Sequence, residues 1–193
     1  MFNPQYRYIG LDFETTGLDA NKDEPIQIGI VEMDHTGAII KEYVSLLKPT
    51  KDINELKTIV GFITGLSVEK LISAPNPQAI LSEIEGFFGP QTVLIGHNIN
   101  FDIQFLQRFF PSCTFANKID TFPLAQALMH YQQSYALEVL VPGANAHDAL
   151  QDTKNALILF TTIFQKIINL ASKYPILQQY ISQRKVFPQA RLV

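Results

Sequence analysis

A chain of 193 residues has the length of one domain and can bury about 70% of its unfolded surface in a single core. Its 47% hydrophobic and 17% charged residues, with ten Gly and eleven Pro, exclude a disordered, collagen-like or low-complexity protein. One cysteine, Cys113, excludes an internal disulfide or a Cys-ligated metal cluster, and a net charge of −3 excludes a grip on polyanions by bulk charge alone.

Residues Met1 to Arg7 carry no basic stretch followed by an apolar run, and no window holds about 18 consecutive apolar residues, so a soluble protein of a reducing cytoplasm, with no membrane contact, is expected. Tyr6 to Glu14 reads as a strand, ended by Thr15-Thr16-Gly17; its alternation sets Tyr8, Asp12 and Glu14 on one face and Ile9, Leu11 and Phe13 on the other. Strands over Ile26 to Met33 and Ala38 to Leu47 meet across Asp34-His-Thr-Gly37, which predicts an antiparallel meander of three strands. After a loop-and-helix segment from Ile53 to Leu71, the spacing of Ile80, Leu81, Ile84, Phe87 and Phe88 predicts a helix. Thr92 to Gly96 suits a buried strand, Phe101 to Phe110 a helix stopped by Pro111, and Pro123 to His130 another helix. Ala146 to Leu170 predicts a long helix, apolar on nearly all sides from Ala156 to Phe164, and a weaker helix is expected over Ile176 to Arg184. A meander followed by alternating strands and helices predicts an α/β fold: a mixed sheet with helices on both faces. The domain is expected over residues 1–172, with a basic tail over 173–193.

Three short stretches gather acidic and His residues: Asp12-Phe-Glu14, His97-Asn-Ile-Asn-Phe-Asp102 and His147-Asp-Ala-Leu-Gln-Asp152. Two carboxylates two apart on a strand face one surface together and raise one another's pKa unless a cation intervenes. Asp102 falls at a helix start, where the dipole alone favours a carboxylate. It also follows a strand, and ligands of open α/β sheets gather beyond strand carboxyl ends. His147 and Asp152 are five apart, about 140° around a continuous helix, so a joint role needs His147 in the loop and Asp152 inside the helix. Oxygen ligands without Cys suit Mg²⁺ or Mn²⁺ over Zn²⁺. Two such ions about 3.5 to 4 Å apart can clamp the oxygens of an in-line displacement at phosphorus, and a His can accept the proton of an attacking water.

These residues, in this order, resemble the DEDDh, DnaQ-like family of 3'-to-5' exonucleases on an RNase H-like fold. The pieces are Leu11-Asp-Phe-Glu-Thr-Thr-Gly-Leu18, His97-Asn-x-x-Phe-Asp102 and His147-x-Ala-Leu-x-Asp152, with Ile63 to Leu71, Ala74-Pro75 and Ile119-Asp-Thr121 as further landmarks. The resemblance implies that Asp12, Glu14, Asp102 and Asp152 hold two divalent ions, Asp12 bridging, with His147 as general base and nucleoside 5'-monophosphates as products. It also implies that Thr15, Thr16, Gly17 and Leu18 receive the terminal nucleotide, Thr16 near the 3'-hydroxyl and Leu18 as an apolar wedge. His97 and Asn98 would shape the turn that aims Asp102, Asn98 also approaching the nucleic-acid backbone, while Phe101 packs beneath the metal site. Gln27 departs from the family by standing where many relatives carry an acid. Ile63 to Leu71 is more similar to exonuclease domains attached to polymerases and helicases than to oligoribonucleases.

The expected activity is exonucleolytic hydrolysis of single-stranded nucleic acid from a 3' end, DNA favoured, with a polymerase, clamp or helicase as a possible protein partner. RNA trimming and a binding module without hydrolysis are the alternatives. Phe13 and Tyr135 are candidate base contacts; the other aromatic residues read as packing. Charge is also uneven along the chain: 9 basic and 18 acidic residues up to Asp152 give −9, and 6 basic with no acidic residue from Thr153 onward give +6. Arg184, Lys185 and Arg191 either guide a strand, dock a partner or form a solvated tail.

Overall fold

The computed structural model describes residues 2–52, 66–129, 132–144 and 147–174. Strand β1 (Arg7–Thr15) pairs antiparallel with β2 (Pro25–Met33), which pairs antiparallel with β3 (Ile39–Leu46). Asp34 fixes the β2–β3 turn: its Oδ1 accepts from Thr36 N, Thr36 Oγ1 and Ala38 N at 2.8, 2.6 and 3.0 Å, and Gly37 takes φ +96°. On its other side β1 runs parallel to β4 (Gly89–Gly96), itself parallel to β5 (Phe115–Asp120), giving the order β3-β2-β1-β4-β5. This is the mixed sheet that the sequence predicts.

Ser67 caps α1 (Val68–Ser73) by accepting from Lys70 N at 3.3 Å. The helix expected from Ile80 to Phe88 is instead three short pieces, a 3₁₀ turn at Pro77–Ile80, α2 (Leu81–Ile84) and a 3₁₀ turn at Glu85–Phe87. Pro77 opens the first 3₁₀ turn, and Gly86, a weak helix former, lies within the last. Then come α3 (Asn100–Phe109), α4 (Thr121–Leu128), α5 (Leu137–Leu140) and α6 (Ala149–Lys173). Neither β5 nor α5 is expected from the sequence. Residues 53–65, His130 and the expected tail helix with Arg184, Lys185 and Arg191 lie outside the described residues.

Alternation along the strands builds a core on each face. Ile9, Leu11, Phe13, Ile28 and Ile30 pack against Ile84, Phe105 and Leu106 of α2 and α3, while Tyr8, Val31, Met33, Val93 and Ile95 lie under Leu157, Phe160 and Phe164 of α6. Length and composition alone would let α6 cross a membrane, yet half of its most apolar window is buried inside the protein, as in a core helix. Glycines decide how closely α6 approaches. A Cβ at Gly29 would meet the Ala149 carbonyl oxygen at 2.3 Å, and one at Gly10 would meet Thr153 Cγ2 at 2.6 Å. Gly29 is the register partner of Asp12, so the first turn of α6 settles onto the sheet beside that carboxylate.

Candidate active site

Asp12 and Glu14 project from the α6 face of β1, and Asp152 projects from the first turn of α6. Together the three offer oxygen atoms within 4.8 Å of one another. Two caps hold the start of α6: Asp148 Oδ1 accepts from Gln151 N at 2.9 Å, and Gln27 Oε1 accepts from Ala149 N at 3.2 Å. The amide at position 27, which departs from the resembled family, thus binds the backbone of the helix that carries Asp152. His147 lies in the loop before α6, as a joint role with Asp152 requires. It adopts φ +72°, is exposed, and donates its backbone N–H to Asp152 Oδ2 at 3.0 Å.

Asp102, in the first turn of α3, is 3% exposed and accepts from Phe13 N at 2.9 Å. It therefore braces the β1 backbone between Asp12 and Glu14, and it stands outside the group of three that converges within 4.8 Å. Burial pushes the Asp12 carboxyl well above its usual range, and the charges of Asp102, Glu14 and Asp152 add to that shift. Burial raises Asp102 too, against the Phe13 N–H. Glu14 and Asp152 are also raised, chiefly by burial, with His147 opposing the shift in both. Crowded, desolvated carboxylates without a neighbouring cation favour protons over charge, and a divalent cation reverses that preference. The donor set is all oxygen, which fits Mg²⁺ or Mn²⁺.

Beside the cluster the chain from Thr15 to Glu24 forms a braced loop. Thr15 Oγ1 donates to Gly17 O at 2.7 Å; Thr16 is buried, its Oγ1 accepting from Glu24 N at 2.9 Å and lying 3.4 Å from Asp23 Oδ1. Lys51 Nζ pairs with Asp23 at 2.7 Å, and Glu24 accepts from Thr50 N and Oγ1 at 2.7 and 2.6 Å. Leu18, in contrast, is 86% exposed. The hydroxyl of Thr16 is thus engaged inside the loop, and Leu18 is the large apolar side chain the loop exposes.

Asn98 is exposed at φ +65° and donates its backbone N–H to Asp120 Oδ1 at 2.9 Å. His97 contacts Thr121 Oγ1 through Nδ1 at 2.9 Å and the Tyr135 carbonyl through Nε2 at 2.7 Å. The carbonyl can only accept, so Nε2 carries a proton. His97 therefore ties the segment before His147 to the end of β4. One of the two base-contact candidates, Phe13, is corrected. Phe13 is 4% exposed, in ring contact with Phe105 and Phe110, and the partly buried Tyr135 packs against the cluster of Leu140, Leu159 and Ile163. Phe101 packs on Phe105, ring centroids 5.0 Å apart. Two further polar side chains near the site are buried: Thr121, bonded to His97 and to the Gly96 carbonyl, and Asn155, bonded to Gln151 on its own helix.

An oxygen cluster at the carboxyl end of β1, in a five-stranded mixed sheet with helices on both faces, defines an α/β protein of the RNase H-like fold. The chain belongs to the exonuclease family, in its DnaQ-like group: the family model described as Exonuclease matches residues 9–160. It is 33% identical to DNA polymerase III PolC-type of Thermotoga petrophila over 83% of this chain and 12% of that protein. Likeness to DNA polymerase III subunit epsilon of Treponema pallidum is 32% over 81% of this chain and 75% of the relative. With the 3'-5' exonuclease DinG of Staphylococcus epidermidis it is 30% over 83% and 18%. The chain thus spans about an eighth of the PolC-type relatives. The fold is shared with Escherichia coli exonuclease I. Its zinc-bound complex with single-stranded DNA superposes with TM-score 0.70 at 20% identity, over 93% of this chain and 43% of that one.

Proposed function

We propose that the chain is a divalent-metal-dependent 3'-to-5' exonuclease that hydrolyses single-stranded nucleic acid, DNA in preference, to nucleoside 5'-monophosphates. The observation that carries this reading is the convergence of Asp12, Glu14 and Asp152 within 4.8 Å, next to His147. A relative named as a 3'-5' exonuclease, relatives named as DNA polymerase III components and a fold neighbour solved with single-stranded DNA support it. Asp12, Glu14 and Asp152, with Asp102 behind them, would hold two Mg²⁺ or Mn²⁺ ions. Such ions, when bound, supply Lewis-acid stabilisation to the attacking and departing oxygens at phosphorus.

The chain's own residues do the rest. His147 takes the proton of the attacking water at its imidazole. Backbone groups of Thr15, Thr16 and Gly17 seat the terminal nucleotide, and Leu18 inserts beside the last base. Asn98, exposed beyond β4, approaches the phosphodiester backbone. A cytoplasmic location and a polymerase, clamp or helicase as partner accord with the replication proteins among the relatives. Matched DNA and RNA oligonucleotides with labelled 5' ends, incubated with Mg²⁺, test the substrate: the DNA is shortened stepwise to mononucleotides, faster than the RNA. Faster RNA shortening reverses the preference, and binding without shortening leaves a docking module instead.

A further inference from the structure

Asn155 stands three residues after Asp152 on α6 and is 2% exposed. Its Oδ1 accepts from Gln151 Nε2 at 3.0 Å, which fixes the amide plane and turns the Nδ2 group away from Gln151. That nitrogen has no hydrogen-bond partner among the described residues. A buried amide donor is normally bonded, so one left over next to a functional carboxylate has a reason to be there. Residues three apart on a helix are surface neighbours, so the Asn155 amide and the Asp152 carboxylate stand on the same side of α6, one turn apart. The reverse amide orientation would set a carbonyl oxygen against that carboxylate, two acceptors with no proton between them.

We propose that Asn155 is a positioning residue for Asp152, its amide steadying the carboxylate from the helix side while the His147 backbone N–H holds Oδ2, so that Asp152 faces Asp12 and Glu14 in register for a divalent cation. The inference rests on the metal-dependent reading of the site. Partners behind metal-binding carboxylates set ligand orientation, and losing one typically costs about 10- to 100-fold in metal affinity. None of the three sequence motifs includes position 155.

Calorimetric titration of Mn²⁺ into the full chain, without substrate, tests it in wild type, Asn155→Leu and Asn155→Asp. Leucine fills nearly the same buried volume without a donor, so Asn155→Leu is expected to keep or raise the melting temperature while Mn²⁺ affinity falls about 10- to 100-fold. Asn155→Asp, an acceptor set against an acceptor, is expected to lose at least as much. The Mn²⁺ concentration for half-maximal hydrolysis should rise in parallel, with KM for the strand unchanged at saturating metal. A folded Asn155→Leu variant with wild-type Mn²⁺ affinity overturns the positioning role and leaves the metal site standing. Wild type that takes up no Mn²⁺ overturns the metal-dependent reading, and the inference with it.

Discussion

Asp12, Glu14 and Asp152 are pushed to protonate chiefly by burial, with neighbouring carboxylates adding to it, and that gives stability a measurable pH dependence. A carboxyl whose folded pKa is raised contributes stability that is whole below its unfolded value, near 4, and is lost as pH climbs through the folded value. Asp19, Asp23 and Asp34 are lowered, chiefly by hydrogen bonds, so their contribution is already complete above pH 5. Burial lowers His97, which makes stability rise with pH as the unfolded chain loses its proton near 6.5. Subtracting melting temperatures without metal from those with Mg²⁺ cancels these background groups. The difference is expected to grow from pH 5 to pH 8, because the cation displaces protons that become easier to remove. A constant difference would mean that the metal binds elsewhere.

Asp12→Asn is expected to raise the melting temperature without metal, by removing one of the crowded charges, and to abolish both the Mg²⁺ response and hydrolysis. His147→Ala should keep the Mg²⁺ response and lower turnover by about 10² to 10⁴, the usual share of a general base. Full activity in that variant would remove His147 from the mechanism. At this scale the sequence reveals the groups whose spacing has only one structural use. Asp12 and Glu14 follow from strand alternation, and His147 with Asp152 from the loop-to-helix junction. The placement of Asp102 behind the β1 backbone is not legible, because it depends on which oxygen finds Phe13 N. The bonds of Gln27, Thr121 and His97 are equally hidden, since each reaches a partner at least 24 residues away.

The elements deliver those groups through close approach. Gly29 has no room for a side chain, because its Cβ would sit 2.3 Å from the backbone oxygen of Ala149, which can yield only if α6 moves. Gly29→Ala is expected to destabilise the protein by ~1–3 kcal/mol in denaturant titration and to lift the turn that carries Asp152, lowering Mg²⁺ affinity as well. Gly10→Ala meets side-chain atoms alone, Thr153 Cγ2 at 2.6 Å and Leu157 Cδ1 and Cγ at 3.1 Å, so its cost should be smaller. Equal stability losses at the two positions would contradict this account of how α6 is seated. Strands β1 to β4 and helices α3 and α6 are legible because period-2 or period-3.6 patterns run long enough to be recognised. Strand β5 is not, because Phe-Ala-Asn-Lys-Ile-Asp lies at the sheet edge with three successive residues, Ala116 to Lys118, exposed, so no alternation survives. Four-residue α5 is too short to show a period, and its helicity comes from Leu140 docking against α6.

For the whole molecule, the charge split acquires a structural meaning. Asp12, Glu14, Asp102 and Asp152 belong to the −9 portion of the chain. Two divalent ions would offset their four charges, so a cleft that repels phosphate without metal would accept it with metal. Ordered addition follows: the strand should bind weakly without Mg²⁺ or Ca²⁺ and tightly with either. Guidance of the strand by the basic residues after Lys173 would show as a higher KM and a flatter salt dependence on truncation there. Unchanged values would make that segment a solvated tail.

The central claim is that three converging carboxylates and His147 cut nucleotides from a 3' end. The most direct measurement follows a 5'-labelled single-stranded DNA and its 3'-blocked counterpart, incubated with the purified chain and Mg²⁺, by gel and by mass analysis of the released products. Stepwise shortening of the free 3' end to nucleoside 5'-monophosphates, with none from the blocked strand or from Asp12→Ala, is the predicted result. An intact free strand, or equal shortening by Asp12→Ala, would contradict it.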